Sequence, residues 1–511
     1  MVVLKGRLEN VNQRKAGAVL SYVGLVVNAV VSFIYVPLLL SFLSVEEYGV
    51  YELIGSIIAY LSVMDMGLST ALSRYYVRER IRESEKAVKN LLAMAAIIYG
   101  VLTFFAILIG FGFDSVLDTL YGHSFTPDEL SLAHQMMYLV IANCAIVLPG
   151  NWFLAIINAH EKFVFARLLN IVKYVLQTVI IILALLHDPS AFTVLFVQVI
   201  FNLLAVVLYI IYVKCNLKVT AKFSSWNWTL FRSMFVFCGL ILLNLVFDQV
   251  FWKTGQIILG ATCGSVSVAI YGIACKLITA GYMQVSTGVT SVFLPKLTAI
   301  AAKTEAMDEI NDLFVKIGRI QAFLVWGVFA AFISIGQEFL VVWAGEDFEL
   351  AYPATIILMA GLSISLIQNL GISVLQAKNK MGFRVGVYIV LAILDVVISI
   401  PISGAFGVIG CAFVAAILLL IGTGPIMNIY YWKNIGIDIP MFFKRVSPLV
   451  VPAVLAAGIV FALKAFFPMT ISWLSVCLYA LLFVISYILL YWIGWADLYE
   501  KDLIRSLKRK L

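Results

Sequence analysis

Charged residues are scarce in this sequence, and so are polar stretches of any length. Only 12% of the 511 residues are charged and 63% are hydrophobic, whereas about 25% of the residues in soluble domains are charged. Between the apolar runs no polar stretch approaches the roughly 50 residues of a folded domain. With a mean hydropathy of +1.03, the chain is a membrane protein whose function lies within the bilayer.

The sequence also lacks the short motifs that carry common chemistry. Its seven cysteines form no CxxC pair or Cys/His cluster, so we expect neither a disulfide framework nor a metal site. It contains no glycine-rich phosphate loop, HExxH or GxSxG. We therefore predict no catalytic residues and no cofactor, and interpret the protein as a transporter rather than an enzyme.

Apolar runs long enough to cross a bilayer recur from end to end. They predict an all-α polytopic membrane protein with about fourteen transmembrane helices. The runs lie at 16–43, 48–73, 91–113, 131–157, 165–187, 191–213, 233–259, 267–295, 320–344, 352–376, 385–403, 407–432, 447–467 and 470–495.

The distribution of charge orients these helices. The net charge is +7, which raises the question of nucleic-acid binding, but a membrane protein concentrates Lys and Arg in its cytoplasmic loops. With both termini cytoplasmic, Lys464 is the only basic residue of the outer segments. The first apolar run is too long for the core of a cleavable signal peptide. We predict a multi-pass protein with two cytoplasmic termini and no nucleic-acid partner.

Two pairs of segments resemble each other at nearly the same separation. Residues 44–50 resemble 267–273, and residues 158–165 resemble 376–383. Both pairs indicate a six-helix repeat, and an even number gives the two halves the same orientation, as in transporters that work by alternating access. We predict six-helix bundles at 1–215 and 216–435, followed by helices 13 and 14 with a basic tail at 436–511.

Charges inside the predicted spans are costly and mark candidate functional sites. The six charged residues inside spans are Asp65, Lys173, Asp248, Lys253, Lys276 and Asp395. Arg74 lies near the inner end of helix 2. Along helix 7, Gln249, Lys253 and Gln256 share one face, beside a stripe of Asn244, Asp248 and Trp252. This polar surface predicts a water-filled cavity.

These residues support two hypotheses about transport. Cationic side chains can hold a phosphate, and the amides of helix 7 belong to the same polar surface. The substrate-binding candidates are therefore Lys173, Lys253, Lys276, Arg74, Asn244, Gln249 and Gln256. Buried carboxyl groups can bind H⁺ or Na⁺, so the ion-coupling candidates are Asp65, Asp248 and Asp395. A purely structural role, in which the lysines pair with these aspartates or extend to the membrane surface, remains the alternative.

Five further segments are informative in their order and spacing. They are 46–51, 64–76 (with Asp65 and Arg74 in a D-x-G-L…R-Y pattern), 375–380, 404–412 and 430–438. With these segments the sequence resembles the polysaccharide transporter family, the lipid-linked oligosaccharide flippases for O-antigen and capsule, and the resemblance runs across nearly the whole chain.

The resemblance implies a fold like that of the multidrug and toxin extrusion carriers, with two six-helix bundles in a V and two extra C-terminal helices. It implies a bacterial cytoplasmic membrane and transfer of an undecaprenyl-pyrophosphate-linked oligosaccharide from the inner to the outer leaflet, coupled to ions or to membrane potential. Expected partners are this substrate, membrane lipids and a polysaccharide polymerase or other assembly protein. The alternatives are a cation-coupled exporter of drugs or other lipids, and a membrane polysaccharide polymerase or ligase.

Overall fold

The computed structural model describes residues 13–65, 67–81, 84–301, 307–378, 380–497 and 499–502. Its contacts divide the chain into two compact units, with the division between Ala269 and Ile270. Within the described residues every regular element is a helix. The all-α fold predicted from the sequence is therefore confirmed.

The described residues of unit 1 form eight α-helices and the start of a ninth. They are α1 (Gln13–Phe42), α2 (Val45–Ser62), α3 (Leu68–Ile81), α4 (Glu85–Tyr121), α5 (Pro127–Ala159), α6 (Phe163–Leu185), α7 (Ala191–Ile211), α8 (Trp228–Cys263) and α9 (Ser265–Lys276).

Short polar side chains fix where several of these helices begin. Ser44 accepts a hydrogen bond from the backbone N–H of Glu47 at the start of α2, and Thr126 and Glu129 form a reciprocal capping box at the start of α5. Such caps satisfy backbone donors that have no partner within the helix. In the hydrocarbon core the rest of the backbone must be hydrogen-bonded internally, which makes an apolar run of this length helical.

Two glycines shape unit 1. Gly67 has a φ of 69° and lies between α2 and α3, so the second predicted span is broken into two helices near Asp65. Gly49 packs directly on the backbone of Ser265, where an added Cβ would lie 2.0 Å from the carbonyl oxygen. Only glycine permits this close approach of α2 to the start of α9.

Unit 2 holds the remaining helices. They are α10 (Met283–Ala301), α11 (Met307–Ala344), α12 (Ala351–Ile367), α13 (Leu370–Ala377), α14 (Met381–Ile421), α15 (Met427–Tyr430), α16 (Ile439–Val446), α17 (Val450–Phe466) and α18 (Trp473–Gly494). The last two pack on α11 through an apolar cluster that includes Ala330, Ala456 and Tyr487.

Twelve helical segments within the described residues are long and apolar enough to cross a membrane. One of them, Met381–Ile435, has 55 residues and consists of two helices that meet at Gly407, where the backbone is not helical (φ 56°, ψ −139°). At about 1.5 Å per residue it is more than twice as long as the hydrocarbon core is thick. Helix α8 is not among the twelve. The count of fourteen and the predicted domain boundaries stay predictions.

Candidate functional site

A polar stripe runs along α6 from its first turn toward its middle. Arg167, Asn170, Lys173 and Gln177 lie three or four residues apart, so they share one face of the helix. Ten residues of helix span about 15 Å, or half of a bilayer's hydrocarbon core. The sequence analysis singled out Lys173 alone, although the same spacing marked the other three.

This stripe forms one wall of a cavity of about 600 Å³ between α1, α6 and α7. The polar residues that line the cavity are Ser21, Asn28, Arg167, Asn170, Lys173, Tyr174, Gln177, Gln198 and Asn202. We call it the α6 cavity. Among the described residues its lining has two cationic side chains and no carboxylate, so it is suited to a hydrophilic or anionic group.

Lys173 is held in this cavity by an amide rather than by an acid. Its Nζ donates a hydrogen bond to Asn202 Oδ1, and Asn202 Nδ2 in turn donates to Asn143 Oδ1 at 2.7 Å. Arg167 is exposed and lies six residues from Lys173. Neither cation forms an ion pair with another described residue.

A second polar cluster joins α2 to α8 through a carboxylate that the sequence analysis missed. Glu52 is only 4% exposed, and Gln256 Nε2 donates to its Oε2 at 3.2 Å. Ser56 donates to Gln256 Oε1, and Lys253 Nζ lies 3.4 Å from the same oxygen. Glu52 lies inside the predicted span 48–73, which should have identified it as a seventh intramembrane charge.

The other candidates of α8 and α9 differ in how far they are buried. Gln249 and Lys276 are half-buried and Asp248 is exposed. The backbone of Asn244 is helical, but its side chain lies outside the described part of the structure. Gln256 is fully buried and bridges Glu52 and Lys253.

Asp65 accepts hydrogen bonds from three helices at the break between α2 and α3. Tyr99 Oη donates to Oδ1 at 2.9 Å, Asn151 Nδ2 donates to Oδ1 at 3.3 Å, and Ser69 Oγ donates to Oδ2 at 3.1 Å. The Arg74 guanidinium instead lies over the Phe237 ring, 5.0 Å from its centre. The two residues of the D-x-G-L…R-Y pattern thus have separate partners.

Asp395, the last ion-coupling candidate, lies in unit 2 within α14. It is 3% exposed, and Ser399 Oγ donates to its Oδ1 at 3.4 Å. It forms no ion pair with a described residue. No group of three His, Cys, Asp or Glu in the described chain could hold a metal ion.

Comparison with known proteins first identifies the class. The fold is that of multi-helix membrane transport proteins. The chain resembles the lipid II flippase MurJ with a TM-score of 0.72 and 15% identity, over 96% of this chain and 99% of that one. It resembles a multidrug resistance MATE family transporter of the MOP superfamily with a TM-score of 0.58 and 13% identity, over 81% and 96%. At such low identity these likenesses establish the fold, and the predicted MATE-like fold class is confirmed.

The family follows from the sequence. The polysaccharide biosynthesis protein family matches residues 15–301, and the chain belongs to that family, as its sequence segments predicted.

Two relatives are similar to this chain in sequence. The membrane protein EpsK of Bacillus subtilis is 21% identical over 80% of this chain and 81% of its own length. The probable low-salt glycan biosynthesis flippase Agl15 of Haloferax volcanii is 22% identical, over 37% of this chain and 39% of its own length. The match with Agl15 thus spans less than half of that protein.

Proposed function

We propose that this protein is a flippase that moves an undecaprenyl-pyrophosphate-linked oligosaccharide from the inner to the outer leaflet of the cytoplasmic membrane, for synthesis of cell-surface polysaccharide. The observation that carries the proposal is the α6 cavity, whose described lining residues include Arg167 and Lys173 and no carboxylate. Family membership and the likeness to a lipid II flippase support it. Alternating access and ion or potential coupling are part of the proposal.

The main energetic cost of such a translocation is moving the charged, hydrophilic head group through the bilayer. Charged groups in the bilayer centre cost about 2.5–3.5 kcal/mol each on insertion scales, and sugar hydroxyls there would lose their hydrogen bonds to water. The α6 cavity offers amides, hydroxyls and two cations along about 15 Å of helix. A cationic drug would find no carboxylate among the described residues of its lining, which favours the flippase over the drug exporter.

The test is reconstitution in vesicles that contain a fluorescent lipid-linked oligosaccharide, with outer-leaflet exposure measured by a membrane-impermeant lectin. We expect stimulation over empty vesicles. Lys173→Gln and Arg167→Gln should each lower the initial rate at least about tenfold, as expected when about 1.4 kcal/mol of stabilisation is lost in the rate-limiting state.

The matched control is Lys433→Gln, because Lys433 is an exposed lysine outside the α6 cavity. It should transport at the normal rate. No stimulation with several different glycans would refute the flippase. Export of a cationic dye by the same vesicles, without glycan exposure, would establish the drug exporter in its place.

A further inference from the structure

An apolar groove, separate from the α6 cavity, lies between α3, α4 and α8. It has a volume of about 310 Å³, within the range of small ligand sites. Its lining consists of Leu68, Ile97, Ile98, Val101, Leu102, Trp226, Phe231, Met234, Phe235 and Cys238. We call it the α4 groove. Nothing in the transport of a glycan head group requires such a surface.

Hydrogen bonds to Asn90 hold the loop before α8, in which Trp226 forms part of the groove wall. Asn90 Oδ1 accepts from the backbone N–H groups of Ser224 and Ser225, at 2.9 and 3.2 Å. Asn90 Nδ2 donates to the carbonyl of Ser225 at 2.8 Å. Asn90 is 9% exposed, and three hydrogen bonds from one buried side chain hold the loop in a single position. The groove is a preformed feature of unit 1.

The groove begins beside an aromatic cluster and opens sideways. Trp226, Trp228 and Phe231 have ring centres 5.4 to 5.9 Å apart at the start of α8, and tryptophans of this kind occupy the membrane interface. Deeper along the groove, Val101 is 49% exposed and Phe235 is 57% exposed. In a bilayer these faces meet hydrocarbon, so a chain can enter from the side.

A cation lies beside the groove. Arg74 is six residues beyond the groove residue Leu68, about 9 Å along α3. Its guanidinium stacks on Phe237, the neighbour of the groove residue Cys238. It has no acidic partner within the described residues. An apolar groove with a cation at its side fits an amphiphile that has an anionic head and a long hydrocarbon chain.

We propose that the α4 groove binds the isoprenoid chain of the lipid-linked substrate, with Arg74 holding the substrate's phosphate beside Phe237. This inference rests on the proposed function, because it takes the substrate to be a polyprenyl diphosphate. The α6 cavity receives the head group during crossing, whereas the groove retains the chain. The two sites therefore predict different effects of mutation.

Photolabelling tests the groove directly. The full-length protein is placed in phosphatidylcholine vesicles with a polyprenyl diphosphate that carries a benzophenone on its chain, irradiated, digested and analysed by mass spectrometry. We expect label on residues 97–102 and 231–238. Val101→Trp fills the groove and should lower this labelling at least fivefold. Val454→Trp is the matched control, since Val454 is an exposed valine of α17, and it should leave labelling unchanged.

A comparison of charged and uncharged probes tests the role of Arg74. Arg74→Gln should weaken labelling by the diphosphate probe and leave labelling by an uncharged polyprenol probe unaltered. Equal loss with both probes would show that Arg74 only shapes the groove, and would overturn the phosphate assignment. Excess undecaprenyl phosphate should compete with the probe, and excess phosphatidylglycerol should not. Equal competition by phosphatidylglycerol would make the groove a general lipid site and overturn the isoprenoid assignment.

Failure of this proposal is distinguishable from failure of the flippase. Glycan exposure in vesicles combined with label only outside the groove would refute the groove and leave the flippase standing. Labelling of the groove without glycan exposure would refute the flippase and leave a polyprenyl-binding site.

Discussion

Gln256 Nε2 lies 3.2 Å from Glu52 Oε2, which joins two helices whose residues are 204 positions apart in sequence. Both side chains are buried, with exposures of 0% and 4%. A buried carboxyl group has to be hydrogen-bonded, because its transfer out of water is otherwise uncompensated. The α2–α8 pair is therefore held by a polar contact inside an apolar unit.

Removing the amide of Gln256 should destabilise the protein more than replacing the carboxyl group of Glu52 by an amide. Gln256→Leu leaves Glu52 without this donor and should cost about 1–3 kcal/mol, whereas Glu52→Gln keeps a hydrogen-bonding group of the same shape and should cost less. Thermal unfolding in detergent, followed by light scattering, measures the difference. Glu46→Gln on the exposed face of the same helix should change nothing, and equal melting temperatures for all three variants would contradict the role of the contact.

Asp395 should couple transport to a proton or sodium gradient. Its carboxyl group has Ser399 as a hydrogen-bond donor and no cation within the described residues, and Asp395→Asn keeps its size. We expect the variant to fold normally and to lose most of its response to an imposed proton or sodium gradient. Vesicle transport with each gradient dissipated separately measures this. An unchanged response in Asp395→Asn would exclude Asp395 as the coupling residue.

Arg319 binds the C-terminal segment of unit 2 to α11. Its Nε donates to Glu500 Oε1 at 2.8 Å, and two further N–H groups donate to the carbonyls of Arg445 and Trp495 at 2.9 and 2.7 Å. Arg319 and Glu500 are both less than 10% exposed. Glu500→Ala should destabilise the protein by about 3–5 kcal/mol, because it leaves a buried guanidinium without its counter-ion.

The control for this pair is the exposed ion pair of Lys316 and Asp312, one turn away on the same helix. Lys316→Gln should cost less than about 0.5 kcal/mol, as exposed i,i+4 pairs do. Denaturation in parallel detergent solutions compares the two variants. Similar midpoints would show that the Arg319–Glu500 pair contributes no more than a surface pair.

His160, which lies between α5 and α6, should make stability depend on pH. Burial, assisted by the positive charges of Arg80 and Lys162, lowers the pKa of His160 below its usual value. In the neutral form Nδ1–H donates to Ile156 O at 2.9 Å, and Nε2 accepts from Tyr76 at 3.1 Å. Because the folded state binds the proton less readily, this stabilisation is complete above the unfolded pKa of about 6.5.

Stability should therefore fall as the pH drops from about 6.5 toward the lower pKa of the folded state. His160→Asn has no titratable ring and should lose this part of the pH dependence. Melting temperatures between pH 5 and 8 measure the effect, which we expect to be less than about 2 °C in a chain of this size. An identical pH profile for His160→Asn and the unchanged protein would contradict it.

The sequence predicted the helices well and their polar contacts poorly. The apolar runs gave the helix positions, but Gly67 broke the second run, and only the non-helical backbone at Gly407 separates the helices of the runs 385–403 and 407–432. The motif around Asp65 and Arg74 indicated two functional residues, and the structure gives them separate partners, Tyr99 and Phe237. Periodicity tells which residues share a face, whereas the partner of that face depends on how helices pack.

The sequence by itself determined that this protein is helical and spans the membrane, because an apolar run in hydrocarbon must satisfy its backbone hydrogen bonds within itself. That requirement is local. The α6 cavity and the contact of Glu52 with Gln256 were decided only by tertiary structure, because their residues come from helices far apart in the chain. A side chain's environment in the bilayer is set by the neighbouring helices, and no local pattern encodes which helices those are.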